Sequence, residues 1–174
     1  HPIPRRQRQM CIRDRSAEIV RTTGQPAFSV GRSSTQSYSA NQTIIFDNDT
    51  GAGFFQTGTA PHAQYYNTSN GLFTAPMSGI YMFTATVLVQ NSTGNYDMII
   101  KTTARDFYCA PGRKASNAGS TSWSTSGTVY LAFGGDCLTY LKKGETAEVR
   151  FTTWGGGQIY GSGAWTRFAG YMLG

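Results

Sequence analysis

Between Gly79 and Val89 an apolar or aromatic residue or glycine stands at every second position: Gly79, Tyr81, Phe83, Ala85, Val87 and Val89. A period of two belongs to a β-strand with one buried face, not to a helix, whose period is about 3.6 residues. Just upstream, Tyr65-Tyr66 and Leu72-Phe73-Thr74 enclose an Asn70-Gly71 step, which predicts a hairpin. Composition extends this reading to the whole chain. Thr, Ser and Gly supply 58 of the 174 residues and 23 are aromatic, whereas Leu occurs only six times and Lys four. That mix suits pleated surfaces and is too poor in helix formers for a helical bundle. The chain is expected to be all-β.

From Gln25 onward, short strands alternate with polar turns. The pattern predicts strands at Ala27–Arg32, Thr43–Asp47, Tyr65–Tyr66, Leu72–Thr74, Gly79–Gln90, Tyr96–Arg105, Thr146–Trp154 and Ala164–Leu173. Gly127–Phe133 and Asp136–Leu141 read as one strand broken by a bulge at Gly134-Gly135. Lys142-Lys143-Gly144-Glu145 reads as a tight turn. About ten strands at this spacing predict a sandwich or barrel of the jelly-roll type.

The net charge of +6 is unevenly spread. Residues 1–21 carry six Arg against Asp14 and Glu18, while the remaining chain carries nine basic and seven acidic side chains. A nucleic-acid footprint needs cations clustered on the folded body, so nucleic acid is not the expected partner. His1 to Arg15 has no strand or helix period, and Gln9-Met10-Cys11-Ile12-Arg13-Asp14-Arg15 looks like translated sequencing-adapter sequence. Residues 1–25 are therefore expected to be a basic tail or an artefact, with one domain over 26–174. If they are an artefact, the true start is expected to be missing, together with any signal peptide, collagen-like stalk or longer fibre. No run of about 18 apolar residues is present, so no membrane-spanning helix and no membrane insertion are expected.

The sequence is poor in catalytic chemistry. His1 and His62 are the only histidines, and there is no His-x-x-x-His, no Gly-x-Ser-x-Gly and no pair of Cys-x-x-Cys motifs. Trp154-Gly155-Gly156-Gly157-Gln158 lacks the Lys and Ser/Thr of a phosphate loop and is read as a connection between strands. No enzyme activity and no cofactor are expected. Asp47-Asn48-Asp49-Thr50-Gly51 is expected to be an Asx turn. Asp47 and Asp49 would be its metal ligands if it held calcium, although the loop fails the EF-hand pattern. Cys109 and Cys137 are read either as a disulfide or as two free buried thiols. Sequons stand at Asn41, Asn48, Asn67 and Asn91, which lean toward an exported protein. The longest stretch with turn chemistry, Asp106 to Trp123, is the expected ligand loop. There Arg113 and Lys114 suit an anionic group, and Tyr108 and Trp123 suit stacking on a sugar ring.

Phe28, Tyr66-Asn67, Gly71-x-Phe73, Pro76, Gly79-x-Tyr81-x-Phe83, Leu141-x-x-Gly144-Glu145, Ile159-Tyr160-Gly161 and Phe168-x-Gly170-Tyr171-x-Leu173 together resemble the complement C1q-like globular domain of the C1q and tumour-necrosis-factor superfamily. The resemblance covers residues 26–174. It implies a ten-stranded jelly roll that assembles as a homotrimer, with Phe28, Phe73, Tyr81, Phe83, Phe168 and Tyr171 in the core or at the contact near the threefold axis. Ala85 stands where an aromatic is usual, Glu145 replaces the common Asp, and Phe54 to Pro61 reads as an insertion. Two functions follow as expectations. One is a secreted recognition head that binds glycan or protein ligands on a surface through its loops, as C1q-domain lectins do. The other is a structural or receptor-binding domain of a virion, such as a tail-fibre tip.

Overall fold

The computed structural model describes residues 25–48, 55–56, 65–91, 94–114, 122–125 and 128–173. Among these residues all regular structure is β. In chain order the strands are β1 (Ala27–Gly31), β2 (Gln36–Ser37), β3 (Phe55–Gln56), β4 (Tyr66–Asn67), β5 (Leu72–Thr74), β6 (Gly79–Gln90) and β7 (Asn95–Thr102). They continue as β8 (Asp106–Lys114), β9 (Ser122–Thr125), β10 (Thr128–Leu141), β11 (Thr146–Trp154), β12 (Gln158–Ile159) and β13 (Arg167–Met172). Two antiparallel sheets result. In the first, β9, β10, β6, β13, β1 and β3 lie side by side, and β12 and β2 extend from the far end of β6. The second runs β4-β5-β11-β7-β8. The all-β jelly roll expected from the strand spacing is the fold observed. The two-residue strands β2, β3 and β12 were not marked by the pattern.

Strand β6 follows its sequence period. Tyr81, Phe83, Ala85, Val87 and Val89 are buried between the sheets. Leu88 breaks the alternation and is buried on the opposite face, where its amide bonds Thr166 Oγ1 and its carbonyl accepts from Tyr160. Along its other edge β6 pairs with β10 from Tyr130–Gln90 to Leu141–Gly79 without a shift of register.

That continuous ladder corrects the expected bulge at Gly134-Gly135. Gly135 is small for another reason: a Cβ there would lie 2.6 Å from the Cβ of Cys109 in the facing sheet. The register shifts fall instead in β11, between Phe151 and Thr153, and along the β7–β8 pair. Thr43–Asp47, expected as a strand, is an extended segment bridged singly by Thr43 to Arg150, with Gly31–Asn48 bridged just beyond it. Ile44 and Phe46 still point inward, and the Ile44 amide bonds the Val149 carbonyl at 2.8 Å. Strand β7 stops at Thr102 because its backbone and hydroxyl close a turn onto Arg105.

Aromatic rings fill the interior. Phe28 lies 5.1–5.3 Å from Tyr66, Phe73 and Phe168, and Phe83 closes the cluster against Phe73 at 5.2 Å. A second group, Tyr96, Phe133, Phe151 and Trp154, fills the other end and is joined by Tyr38. The buried Tyr66 hydroxyl accepts from the Phe46 amide at 3.0 Å.

Gly170 lies under the first cluster, where a Cβ would come within 2.5 Å of Phe83 and 2.7 Å of Phe28. Phe83→Ala is expected to cost about 3–5 kcal/mol in urea unfolding, and Gly170→Ala about 1–3 kcal/mol through overpacking. An unchanged midpoint for Gly170→Ala would mean that the rings give way easily and that the packing is looser than the distances indicate.

Candidate functional site

The stretch expected to be a ligand loop is for the most part strand. Tyr108, Arg113 and Lys114 all lie on β8, the edge strand of the second sheet, opposite Ile99, Tyr96 and Asn95 of β7. Trp123 lies on β9, paired with Tyr130, at the edge of the first sheet. β8 and the β9–β10 hairpin share one side of the sandwich, as the approach of Cys109 to Gly135 demonstrates. The four residues are therefore distributed over two strand edges on that side. Tyr108 is 58% exposed. The side chains of Arg113, Lys114 and Trp123 lie outside the described residues, as does the connection 115–121.

Asp47 follows the buried Phe46, and its carboxylate is already occupied. One oxygen accepts from the Ser33 amide and the other from the Ser33 hydroxyl, each at 2.7 Å. Burial pulls this carboxyl group upward, but the Ser33 bonds and the nearby Arg32 outweigh it and hold it below its ordinary value. Asp49 lies outside the described residues. Among the described residues no three His, Cys, Asp or Glu side chains come together as a metal site.

Cys109 and Cys137 are both free thiols, one on β8 and one on β10. Each belongs to a different sheet, so a bridge between them would join the sheets at this side. Burial raises the Cys109 thiol above its ordinary value, and burial together with Cys109 and Asp136 pushes Cys137 up to about 12. Both are therefore weak nucleophiles at neutral pH.

Of the six aromatics expected in the core or at a threefold contact, Phe28, Phe73, Tyr81, Phe83 and Phe168 are buried inside the single chain. Tyr171 is on the outside, 47% exposed. It does not stand alone. Tyr140 pairs with Ile80 across the β10–β6 ladder, Leu138 and Tyr171 flank Met82 from either side, and the Leu173 amide bonds the Ile80 carbonyl. Ile80, Leu138, Tyr140, Tyr171 and Leu173 are all exposed and form one apolar patch on the outer face of the first sheet. A signal for it was present in the sequence: Ile80 and Met82 fall on the phase of β6 that should be polar.

The model of the C1q domain family matches residues 27–173. No curated protein matches the chain. Among solved structures it is similar to the globular domain of zebrafish complement 1qA protein, with a TM-score of 0.59 and 21% identity over 86% of this chain and 98% of that one. It is similar also to Eiger TNF from S. frugiperda, with a TM-score of 0.59 and 12% identity over 86% and 93%. Murine APRIL gives a TM-score of 0.57 and 12% identity over 86% and 100%. At these identities the structural matches establish the fold. Among the described residues no helix is long and apolar enough to cross a membrane.

The thiol of Cys137 gives a pH-dependent expectation. The folded chain holds its proton up to about 12, whereas the unfolded chain releases it near 9.0. Its contribution to stability is therefore complete below pH 9.0 and is lost as the pH rises through that window. In reducing buffer the urea midpoint is expected to fall from pH 9 toward pH 12. Tyr38, raised from 10.0 to about 12 chiefly by burial, acts in the same direction. Cys137→Ala is expected to flatten part of the decline; an identical decline in that variant would show that the thiol is not held in an apolar site.

Proposed function

Because the chain belongs to the C1q domain family, whose members form trimers and bind ligands, we propose that it is a non-enzymatic, homotrimeric recognition module that acts outside the cell and binds glycans on a surface. The observation that carries this reading is the patch of Ile80, Leu138, Tyr140, Tyr171 and Leu173. Contiguous apolar surface of this kind marks a protein–protein contact. Its occupants here are two further copies of the chain. Trimerisation then presents three copies of each binding surface, and linked weak sites gain avidity without any new contact.

The ligand surface is assigned to the side of the sandwich formed by β8 and β9. Tyr108 is exposed there and offers a ring face to a sugar, and Arg113 and Lys114 at the end of β8 supply cations for an anionic group. Trp123 on the neighbouring edge adds a second ring. The sequon residues Asn41, Asn67 and Asn91 are all exposed, and their glycosylation is what would separate the export reading from the virion reading. No metal enters this reading, since both oxygens of Asp47 are engaged by Ser33.

The test is the native mass of the full chain in solution. A species near three times 18.9 kDa is expected, and Leu138→Glu with Tyr140→Glu is expected to reduce it to a monomer that remains folded. A wild-type monomer would reject the assembly. A mass that falls only with a chelator would move Asp47 and Asp49 into a metal site. Arg113→Ala with Lys114→Ala is expected to weaken binding on a glycan array by at least about tenfold while leaving the mass unchanged. Equal binding by that variant would reject the β8 surface.

A further inference from the structure

On the side of the sandwich opposite β8, the two sheets part around a cleft of about 270 Å³. Gln36 and Ser37 of β2 and Ile159 of β12 form one wall, the segment 42–45 forms the other, and Arg32 and Tyr38 complete the lining. Arg32 follows β1 directly and is fixed at its backbone by the bond from its amide to the Thr166 carbonyl, 3.0 Å. Only 4% of it is exposed. Its guanidinium donates from Nη1 to the Ile45 carbonyl and from Nη2 to Gln36 Oε1, but Nε, also buried, has no acceptor among the described residues.

An unsatisfied buried donor is costly, and native chains retain few unless water, an ion or a ligand supplies the missing partner. Asp47 acts on Arg32 electrostatically, yet both its oxygens already accept from Ser33. The residue that holds Nη2 is Gln36, an exposed side chain offering only a neutral amide oxygen. A carboxylate is a stronger acceptor and can take two parallel N–H groups of one guanidinium. The lining is partly apolar, with Ile45 on one wall and Ile159 on the other, and Tyr38 is held in place: its hydroxyl donates to the Gln42 carbonyl and accepts from the Phe151 amide.

We propose that this cleft binds a small carboxylate-bearing ligand the size of one hexuronic acid ring. Its carboxylate takes Nε–H and Nη2–H of Arg32 in place of Gln36 Oε1, and its ring lies along Tyr38. The size follows from the volume, which falls just below the ~300–1,000 Å³ of pockets for larger ligands and leaves no room for an oligosaccharide. The choice of a carboxylate over a phosphate follows from charge. The lining holds one cation, already partly offset by Asp47, and a second anionic charge would be left without a partner. This site is independent of the trimer and of the β8 surface.

The experiment is an NMR titration of the full chain with D-galacturonate, D-galactose and acetate, following the amides of Ser37 and Ile45. Galacturonate is expected to bind at least about tenfold more tightly than either of the others, since each supplies only half of the contact. Ser37→Trp, a change at an exposed position in the mouth of the cleft, is expected to weaken galacturonate by more than about tenfold with thermal unfolding unchanged. Arg32→Lys, which keeps the charge but loses the planar pair of donors, is expected to do the same. Should Arg32→Lys fail to fold, Ser37→Trp decides the question. No shift with galacturonate up to about 50 mM, or equal affinity in Ser37→Trp, would overturn the site and assign Nε to a water molecule. Galactose binding as tightly as galacturonate would overturn the role of Arg32, and acetate binding as tightly would overturn that of the ring.

Discussion

The inward row of β6, Tyr81, Phe83, Ala85, Val87 and Val89, closes the space between the two sheets, and three other strands take their register from this one. β10 pairs along its whole length, while β13 and β12 share its opposite edge. Because the side-chain period is two, a slip of one residue in β6 would put Tyr81 and Phe83 in water and Ile80, Met82 and Thr84 in the core. The rings of Phe28, Phe73 and Phe168 pack around Phe83 at 5.2–6.4 Å, and each such pair contributes about 0.5–1.5 kcal/mol beyond its buried area. Gly170 fits under these rings only because it lacks a Cβ. The register of β13 is thus fixed twice, once by its ladder with β6 and once by the absence of a side chain at one position.

The same alternation that fills the core determines what faces outward. With Tyr81 and Phe83 committed inside, no described residue buries Ile80, nor its neighbours Tyr140 and Leu138, since the adjacent residues on β10, Leu141 and Cys137, already point in. A chain selected only to stay monomeric would carry polar residues on this phase, as β6 does at Thr84 and Thr86 farther along. Folding of the single chain does not account for the apolar end of the face, whereas the proposed assembly does.

Strands with a clear period, β1, β5, β6 and β11, were legible from sequence, because the interior dictates their pattern residue by residue. Strand β8 was not. Its Pro111 and Gly112 read as turn chemistry, yet an edge strand tolerates Pro because the N–H on its free side needs no partner. The glycine pair 134–135 misled in the opposite sense: a local rule reads a bulge, whereas the requirement comes from Cys109 across the sandwich. Arg32 left no trace in any local pattern. It is an ordinary cation after a strand until the segment 42–45 folds over it, and only that tertiary closure turns it into a buried donor with an open position. Of the residues expected to bind ligand, Tyr108 is exposed, and the distribution of Tyr108, Arg113, Lys114 and Trp123 over two sheets could not be read from one dimension.

The two surfaces also stand in a definite geometric relation. The apolar patch sits at the Gly79 end of β6, around Ile80, and the Arg32 cleft adjoins its other end, where Ile159 of β12 pairs with Val89. Nine residue steps of extended chain separate Ile80 from Val89, roughly 30 Å at the rise of a β-strand. Copies of the chain joined through the first end would leave the second uncovered. Self-association and occupation of the cleft then do not compete for the same atoms, and a weak acid-binding site repeated on each copy gains from assembly through effective concentration alone. In the proposed trimer β6 runs from one end to the other, so avidity needs no contact between the two sites, whereas an allosteric effect of the ligand on assembly would need that strand to differ between two states.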